Sequence, residues 1–269
     1  RANPPIDVML HDPGPGLIAV ANGLVEPYPV ARSAHYKDLI PVAQEPDGPA
    51  PFFQVVGLTY NPETVKTPPT SWADLWNPIY KNRVGITNLA STLGTGFLVE
   101  IARMRGGSET NVEPGFAALK ELKPNLSAVA ANPGALAALY QQGQVDISPG
   151  NFNAIQILKA QGVPVEFVAP KEGAIAFRTT MHITKNSPNA ELAFKLIEAA
   201  LSPEVQGQLM ASPYLVVPTN TKVKLAGELA KTLAASHDEM RTRFVFQDWA
   251  AINQQRAGWL ERFNREMRG

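Results

Sequence analysis

Short β-branched and aromatic runs, bounded by Gly, Pro, Asn or Ser, recur along the chain, with apolar residues at helical spacing between them. Ile6 to Leu10 predicts a strand, His11 to Gly16 a Gly/Pro loop, and Leu17 to Gly23 a short helix with a glycine stop. Phe52 to Tyr60 predicts a strand, and Asn61-Pro62-Glu63 then turns the chain. Ser71 fits the N-cap of a helical segment through Trp76, with Asp74 three residues on in a variant of the capping box. Val84 to Thr87 predicts a strand, and Ala90 to Gly96 leads into a helix from Phe97 to Met104. Helices follow at 112–122 and 134–142, a strand at 145–148, a helix at 151–161 and a strand at 163–168. Ile175 to Ile183 has the length of a long strand, and Ser187 to Leu201 is helical, with Pro188 tolerated in its first turn. Segments 222–236, 238–246 and 249–265 complete the chain as amphipathic helices. Strands alternating with helices throughout predict an α/β architecture.

Composition narrows the function. The 269 residues suffice for one large domain or two modest lobes without cross-links. Lys and Arg number 24, as do Asp and Glu, so neither a nucleic-acid backbone nor an anionic membrane is an expected partner. Cysteine is absent, which removes disulfides, Cys-ligated zinc, iron–sulfur clusters and thiol nucleophiles together. No apolar run approaches the roughly 18 residues of a membrane span, and an exported protein would already have lost its signal peptide.

Ligands of open α/β sheets bind outside the carboxyl ends of strands, which directs attention to three places. At His11-Asp12-Pro13-Gly14 the backbone can approach a ligand and Asp12 can accept from an amine; the alternative is a helix start with Asp12 as its cap. At Ser91-Thr92-Leu93-Gly94-Thr95-Gly96, hydroxyls and free amides at a helix start favour an anion; the alternative is ordinary capping. No Lys follows these glycines, so this is not a phosphate-binding loop of the nucleotide type. The third is Phe177-Arg178-Thr179 with Asn151, where alternation puts Phe177 and Thr179 on one face and Arg178 on the other. Tyr60 and Tyr214 are further candidates that could equally be core or hinge aromatics. His35, His182 and His237 form no spaced metal cluster, and Trp72 and Trp76 read as packing residues. Neither a Gly-x-Ser-x-Gly elbow nor a His-Glu-x-x-His motif occurs, so no catalytic residue, metal or cofactor is expected.

Three stretches together resemble the extracellular solute-binding proteins of ABC importers, near the spermidine/putrescine-binding branch. They are Thr70-Ser71-Trp72-Ala73-Asp74-Leu75-Trp76-Asn77-Pro78-Ile79-Tyr80-Lys81, Pro170-Lys171-Glu172-Gly173 with the strand after it, and Asn189 to Leu201 running into Ser202-Pro203-Glu204-Val205. The resemblance implies a type II periplasmic-binding fold: two discontinuous α/β lobes, 1–66 with 176–220 and 67–175 with 221–269, joined by crossing strands at 52–60 and 175–183. It implies a monomer in the periplasm that closes over a small molecule and passes it to an inner-membrane permease, without chemistry. Relatives carry a strand and helix before the segment that opens this sequence, so some ligand contacts, and an apolar patch or strand edge in the first lobe, are expected there. Compared with the polyamine-binding branch, acidic positions appear here as Leu89, Thr92 and Thr179 and one aromatic wall as Asn151, while Phe177 keeps its aromatic character. No Tyr-Tyr pair of the iron-binding kind occurs. An organic anion or zwitterion is therefore the expected ligand.

Overall fold

The computed structural model describes residues 4–267. In chain order the elements are β1 (Val8–His11), α1 (Pro13–Ala21), β2 (Val25–Glu26), β3 (Phe52–Tyr60), β4 (Val84–Thr87), α2 (Thr92–Met104), α3 (Glu113–Leu122) and β5 (Leu126–Ala130). There follow α4 (Pro133–Gln141), β6 (Ile147–Asn151), α5 (Phe152–Ala160), β7 (Glu166–Val168), β8 (Ala174–Thr184), α6 (Ala190–Leu201) and α7 (Pro203–Met210). The last are β9 (Val217–Pro218), α8 (Gly227–Thr232), α9 (His237–Arg243), β10 (Phe244–Val245) and α10 (Trp249–Met267). Among the described residues no helix is long and apolar enough to cross a membrane.

Several elements differ from the sequence expectation for identifiable reasons. The Pro-Gly-Pro-Gly stretch is the first turn of α1, not a loop: a first turn needs no proline N–H, and a Cβ on Gly16 would stand 2.9 Å from Thr180 Oγ1. Helix α2 begins at Thr92, so Thr95 lies inside it. The expected helix at 238–246 stops at Arg243, because Phe244 and Val245 pair in parallel with Ala174 and Ile175. Strand β5, absent from the sequence expectation, lies parallel to β4, with Ile86 opposite Val129. The capping box at Ser71 and Asp74 forms as expected, on a short 3-10 turn.

The chain divides into two compact units, Arg1–Gln54 with Phe177–Arg241 and Val55–Ala176 with Thr242–Gly269. The sequence expectation put the breaks at 66, 175 and 220; the first lies instead after Gln54 near the start of β3, the second after Ala176, and the third after Arg241 in α9. In the first unit β1 runs antiparallel to β8, with Val8 opposite Ile183 and His11 opposite Thr180, and β2 also pairs with β8. Strand β9 joins the start of β3, Phe53 opposite Val217. The segment after β9 is tied down by Gln206, whose Oε1 accepts from the Thr219 and Asn220 amides at 2.8 Å each, while Asn220 Nδ2 donates to the Leu201 carbonyl. Leu10, at 56% exposed, lies on the terminal strand of the sheet order, and Ile6 is 51% exposed nearby in sequence.

In the second unit β4 lies parallel to both β5 and β6, and β3 closes the sheet antiparallel to β6 and β7. Its core holds Leu58, Trp72, Leu75, Ile86, Leu98, Ile101, Leu119 and Phe152, all nearly or wholly buried. Helix α10 buries Trp249, Ile252, Trp259 and Phe263, a stripe at helical spacing.

Buried histidines give the fold a pH dependence. His182 is 3% exposed; its Nδ1 donates to the Asp47 carbonyl at 3.0 Å, and its Nε2 lies 2.8 Å from Thr180 Oγ1. Burial holds its imidazole below the ordinary histidine range, against the pull of the Asp47 carbonyl, and burial does the same to His11 and His237. The unfolded chain therefore takes up protons below pH of about 6.5 that the folded chain refuses, so stability is full above that pH and is lost as pH falls. Glu100 acts in the opposite sense, its carboxyl raised by burial. The urea midpoint of wild type is expected to fall between pH 7.5 and 5.5, and to fall less in His182→Gln. Equal falls in the two proteins would assign the effect elsewhere.

Candidate functional site

In the second unit the parallel strands β4, β5 and β6 end along one edge. Thr87 lies opposite Ala130, the Asn88 amide donates to the Ala130 carbonyl at 2.8 Å, and β6 ends at Asn151. From this edge the chain enters α2 through Asn88 to Ser91 and enters α5 directly from Asn151. The loop before α2 is folded tightly: Asn88 Oδ1 accepts from the Ala90 amide at 2.8 Å, and a Cβ on Gly94 would stand 2.3 Å from the Asn88 carbonyl oxygen. A largely apolar hollow beside Asn151 is lined by Leu93, Leu136, Ala154 and Ile155. Beneath it Thr59, Tyr140 and Ser148 join their hydroxyls at 2.7–3.0 Å, and burial raises the Tyr140 phenol well above its ordinary range.

The first unit brings its own candidates together at the end of β1. Gln54 Nε2 lies 3.5 Å from Asp12 Oδ1 and 3.4 Å from Thr179 Oγ1, so one amide spans both. His11 packs against His182 with ring centroids 5.6 Å apart.

The N-caps separate these places from the rest of the molecule. Asp12, Ser91 and Asn151 occupy the N-cap positions of α1, α2 and α5, and none caps its helix with its side chain. Ser71, Asn77, Asn132 and Ser202, of the same residue types, all do. At α6 the Asn189 amide is turned to Asp7 instead, at 3.2 Å. In the first turn α3, α6, α7, α8 and α9 carry acidic residues, while α1, α2 and α5 carry none, as is also true of α4 and α10. The starts of α2 and α5 thus keep their positive end and a polar side chain that is not used as a cap, while at α1 the Asp12 carboxylate offsets the positive end.

Residues 3–255 match the family described as bacterial extracellular solute-binding protein. The chain belongs to this family. Among relatives of this solute-binding family, the spermidine/putrescine-binding periplasmic protein of Salmonella typhimurium is 33% identical over 153 residues, 54% of this chain and 40% of that protein. The alignment thus spans less than half the length of that relative. An ABC transporter structure from Clostridium perfringens superposes with a TM-score of 0.83 at 25% identity, covering 99% of this chain and 85% of that one. The periplasmic binding protein AfuA of Actinobacillus pleuropneumoniae, solved with fructose-6-phosphate bound, shares the fold at a TM-score of 0.77 and 24% identity, covering 99% of this chain and 84% of that one.

Not every residue expected from sequence joins these clusters in the solute-binding protein. Tyr60 is opposite Ile147 while Val56 is opposite Asn151, which puts Tyr60 about 14 Å along the strand from that edge. Arg178 points to the other face of β8 from Thr179, pairs with Glu45, donates to the Val42 carbonyl, and lines a hollow with Pro13, Gly16 and His182. Thr95 is fully buried: its hydroxyl donates to the Leu89 carbonyl at 2.6 Å and accepts from Arg256 Nε at 3.0 Å, so it shapes the loop. Phe177 is 3% exposed and packs in the core, while Tyr214 is 57% exposed after α7, its amide donating to the Ala211 carbonyl at 3.1 Å. Sequence reasoning passed over Gln54, a lone amide in the apolar run of β3, which was a usable signal, and Arg256, on a distant helix, which offered none. No cluster of three or more His, Cys, Asp or Glu able to hold a metal occurs among the described residues.

The close approach at Gly94 is testable. A methyl group there would meet the Asn88 and Thr87 carbonyls at 2.3 and 2.6 Å. Gly94→Ala is expected to lower unfolding free energy by about 1–3 kcal/mol in urea titrations. Gly207→Ala, in α7 with nothing within 4 Å, should raise it by about 0.5–1 kcal/mol.

Proposed function

We propose that this protein captures a small organic anion or zwitterion in the periplasm, as a monomer, and delivers it to an ABC-type permease without chemical change. The observation that carries the reading is the set of helix starts at Asp12, Ser91 and Asn151, whose side chains are not used as caps. The starts of α2 and α5 offer amides, hydroxyls and the positive end of the helix dipole, a setting for a carboxylate, phosphonate or similar group. Asp12 and the Gln54 amide supply an acceptor and a donor for an amine-bearing ligand.

The second reading, a polyamine, is favoured by the identity to the spermidine/putrescine-binding protein. Fold does not choose between them, since fold relatives are named both for polyamines and for a sugar phosphate. Side chains do. Two or more ammonium groups need carboxylates, and Leu89, Thr92 and Thr179 are neutral where the polyamine branch is acidic, which leaves a desolvation cost of several kcal/mol.

Calorimetric titration with carboxylates, amino acids and aminophosphonates, beside spermidine and putrescine, tests the proposal. Saturable heat with an anion or zwitterion, and none with polyamines, is expected. Thr92→Ala and Asn151→Ala should each weaken that binding about ten-fold or more with little change in melting temperature. Asp12→Asn should weaken zwitterions and spare simple anions. Tight polyamine binding without response to any anion would overturn the ligand class, and consumption of the ligand would overturn the binding-protein reading itself.

A further inference from the structure

One guanidinium, carried by α10, reaches back to the loop that leads into α2. Arg256 Nη2 donates to the Ala90 carbonyl at 2.8 Å and to the Leu89 carbonyl at 3.3 Å, while Nε donates to Thr95 Oγ1 at 3.0 Å. Thr95 in turn donates to the same Leu89 carbonyl at 2.6 Å. Two further residues of the C-terminal segment join in: Gln247 Nε2 donates to the Gly96 carbonyl at 2.8 Å, and Asn264 Oδ1 accepts from Asn88 Nδ2 at 3.2 Å. The guanidinium carbon of Arg256 lies 5.6 Å from the centroid of the Trp249 ring, itself 2% exposed. A planar fork with several donors fixes the orientation of the groups it binds, whereas an ammonium acts as a point charge.

The consequence falls on the amides. Within a trans peptide the C=O and N–H point in opposite directions, so turning the Leu89 and Ala90 carbonyls toward Arg256 turns the Ala90 and Ser91 N–H groups away from it. There they meet Asn88, through its side-chain oxygen and its carbonyl at 2.8 and 3.0 Å, which closes the turn that delivers Ser91 to the N-cap. Without that clamp, two carbonyl dipoles are released to rotate beside the start of α2, where they would oppose an anion.

We infer that Arg256 is a positioning residue for solute binding, holding the loop before α2 in the conformation that presents Ser91 and Thr92; this rests on the solute-capture reading above. It touches loop carbonyls and a buried hydroxyl, and its effect on the ligand passes through them.

Arg256→Gln and Arg256→Lys in the full chain, followed by two measurements, test this. In the ligand-free protein, amide hydrogen exchange over residues 90–95 is expected to quicken about ten-fold or more in Arg256→Gln, with β4 and α3 protected as in wild type. For whichever carboxylate, amino acid or aminophosphonate wild type binds, affinity should fall about ten-fold in Arg256→Gln, with Arg256→Lys regaining only a minor part of the loss. Unchanged exchange in Arg256→Gln would overturn the inference. Full recovery of affinity by Arg256→Lys would also overturn it, since charge alone would then suffice. Should Arg256→Gln fail to fold, the exchange and affinity of Arg256→Lys decide the matter by the same criteria. A wild type that answers to no solute sinks the solute-capture reading, and the exchange experiment still decides whether Arg256 holds the loop.

Discussion

The chain passes between its compact units inside β3, inside β8 and near the end of α9, and the two strands must each satisfy a different core at their two ends. A strand buried on both faces is apolar nearly throughout, and β3 from Val55 onward meets that demand. Polar residues on such strands stand out because each must be hydrogen-bonded. Thr59 meets the requirement with tight bonds to Ser148 and Tyr140, and it is wholly enclosed. Gln54 answers the same requirement from the start of β3, its Nε2 standing 3.5 Å from Asp12 Oδ1 and 3.4 Å from Thr179 Oγ1.

Helix starts divide into two sets. A Ser, Asn or Asp at the N-cap ordinarily stabilises its helix by about 1 kcal/mol through a side-chain bond to a first-turn amide. The protein uses that bond at Ser71, Asn132 and Ser202 and goes without it at Asp12, Ser91 and Asn151. Packing makes up the difference: α2 buries ten of its residues from Leu93 to Ala102, and α1 lies so close to β8 that Gly16 has no room for a methyl group. Helices held by packing can leave their first turns to a ligand. Lost stability at functional positions is the usual cost of such an arrangement.

Much of this was legible in the sequence because it is local. The strands at β3, β4 and β8, the capping box at Ser71, and the hydroxyl-bearing stretch at Ser91 and Thr92 that leads into a helix all announce themselves within a few residues. The errors are equally physical. Prolines and glycines before Leu17 read as a loop because their local preference is for turns, yet close packing against Thr180 makes them the first turn of a helix. Residues 244–245 form a strand because Ala174 and Ile175 pair with them, a long-range fact that periodicity does not carry. Tyr60 looked well placed by its nearness to the end of β3, but an antiparallel register puts that end opposite Ile147 and away from Asn151. Alternation along β8 correctly set Arg178 against Thr179, while its partner Glu45 lies too far away in sequence to be inferred.

Electrostatics at the second unit's edge depend more on what is missing than on any single charge. Arg178, the cation the sequence offered for an anionic ligand, is on the other unit and is paired with Glu45, so its field is largely cancelled close by. The helix ends differ in this respect. Five helices place a carboxylate in the first turn, which offsets the positive end of the dipole, and the helices entered from Ser91 and Asn151, like α1, α4 and α10, do not. A partial charge of about half a unit at each of these two helix starts is modest in water. Beside the largely apolar hollow lined by Leu93, Leu136 and Ile155 it is less screened than in water. Fixed amides also need no reorganisation when an anion arrives, provided the loop before α2 is already in place. That condition links the chemistry of Ser91 and Thr92 to the packing of the C-terminal helix, and makes the second unit's candidate site a property of the folded chain that no short motif carries alone.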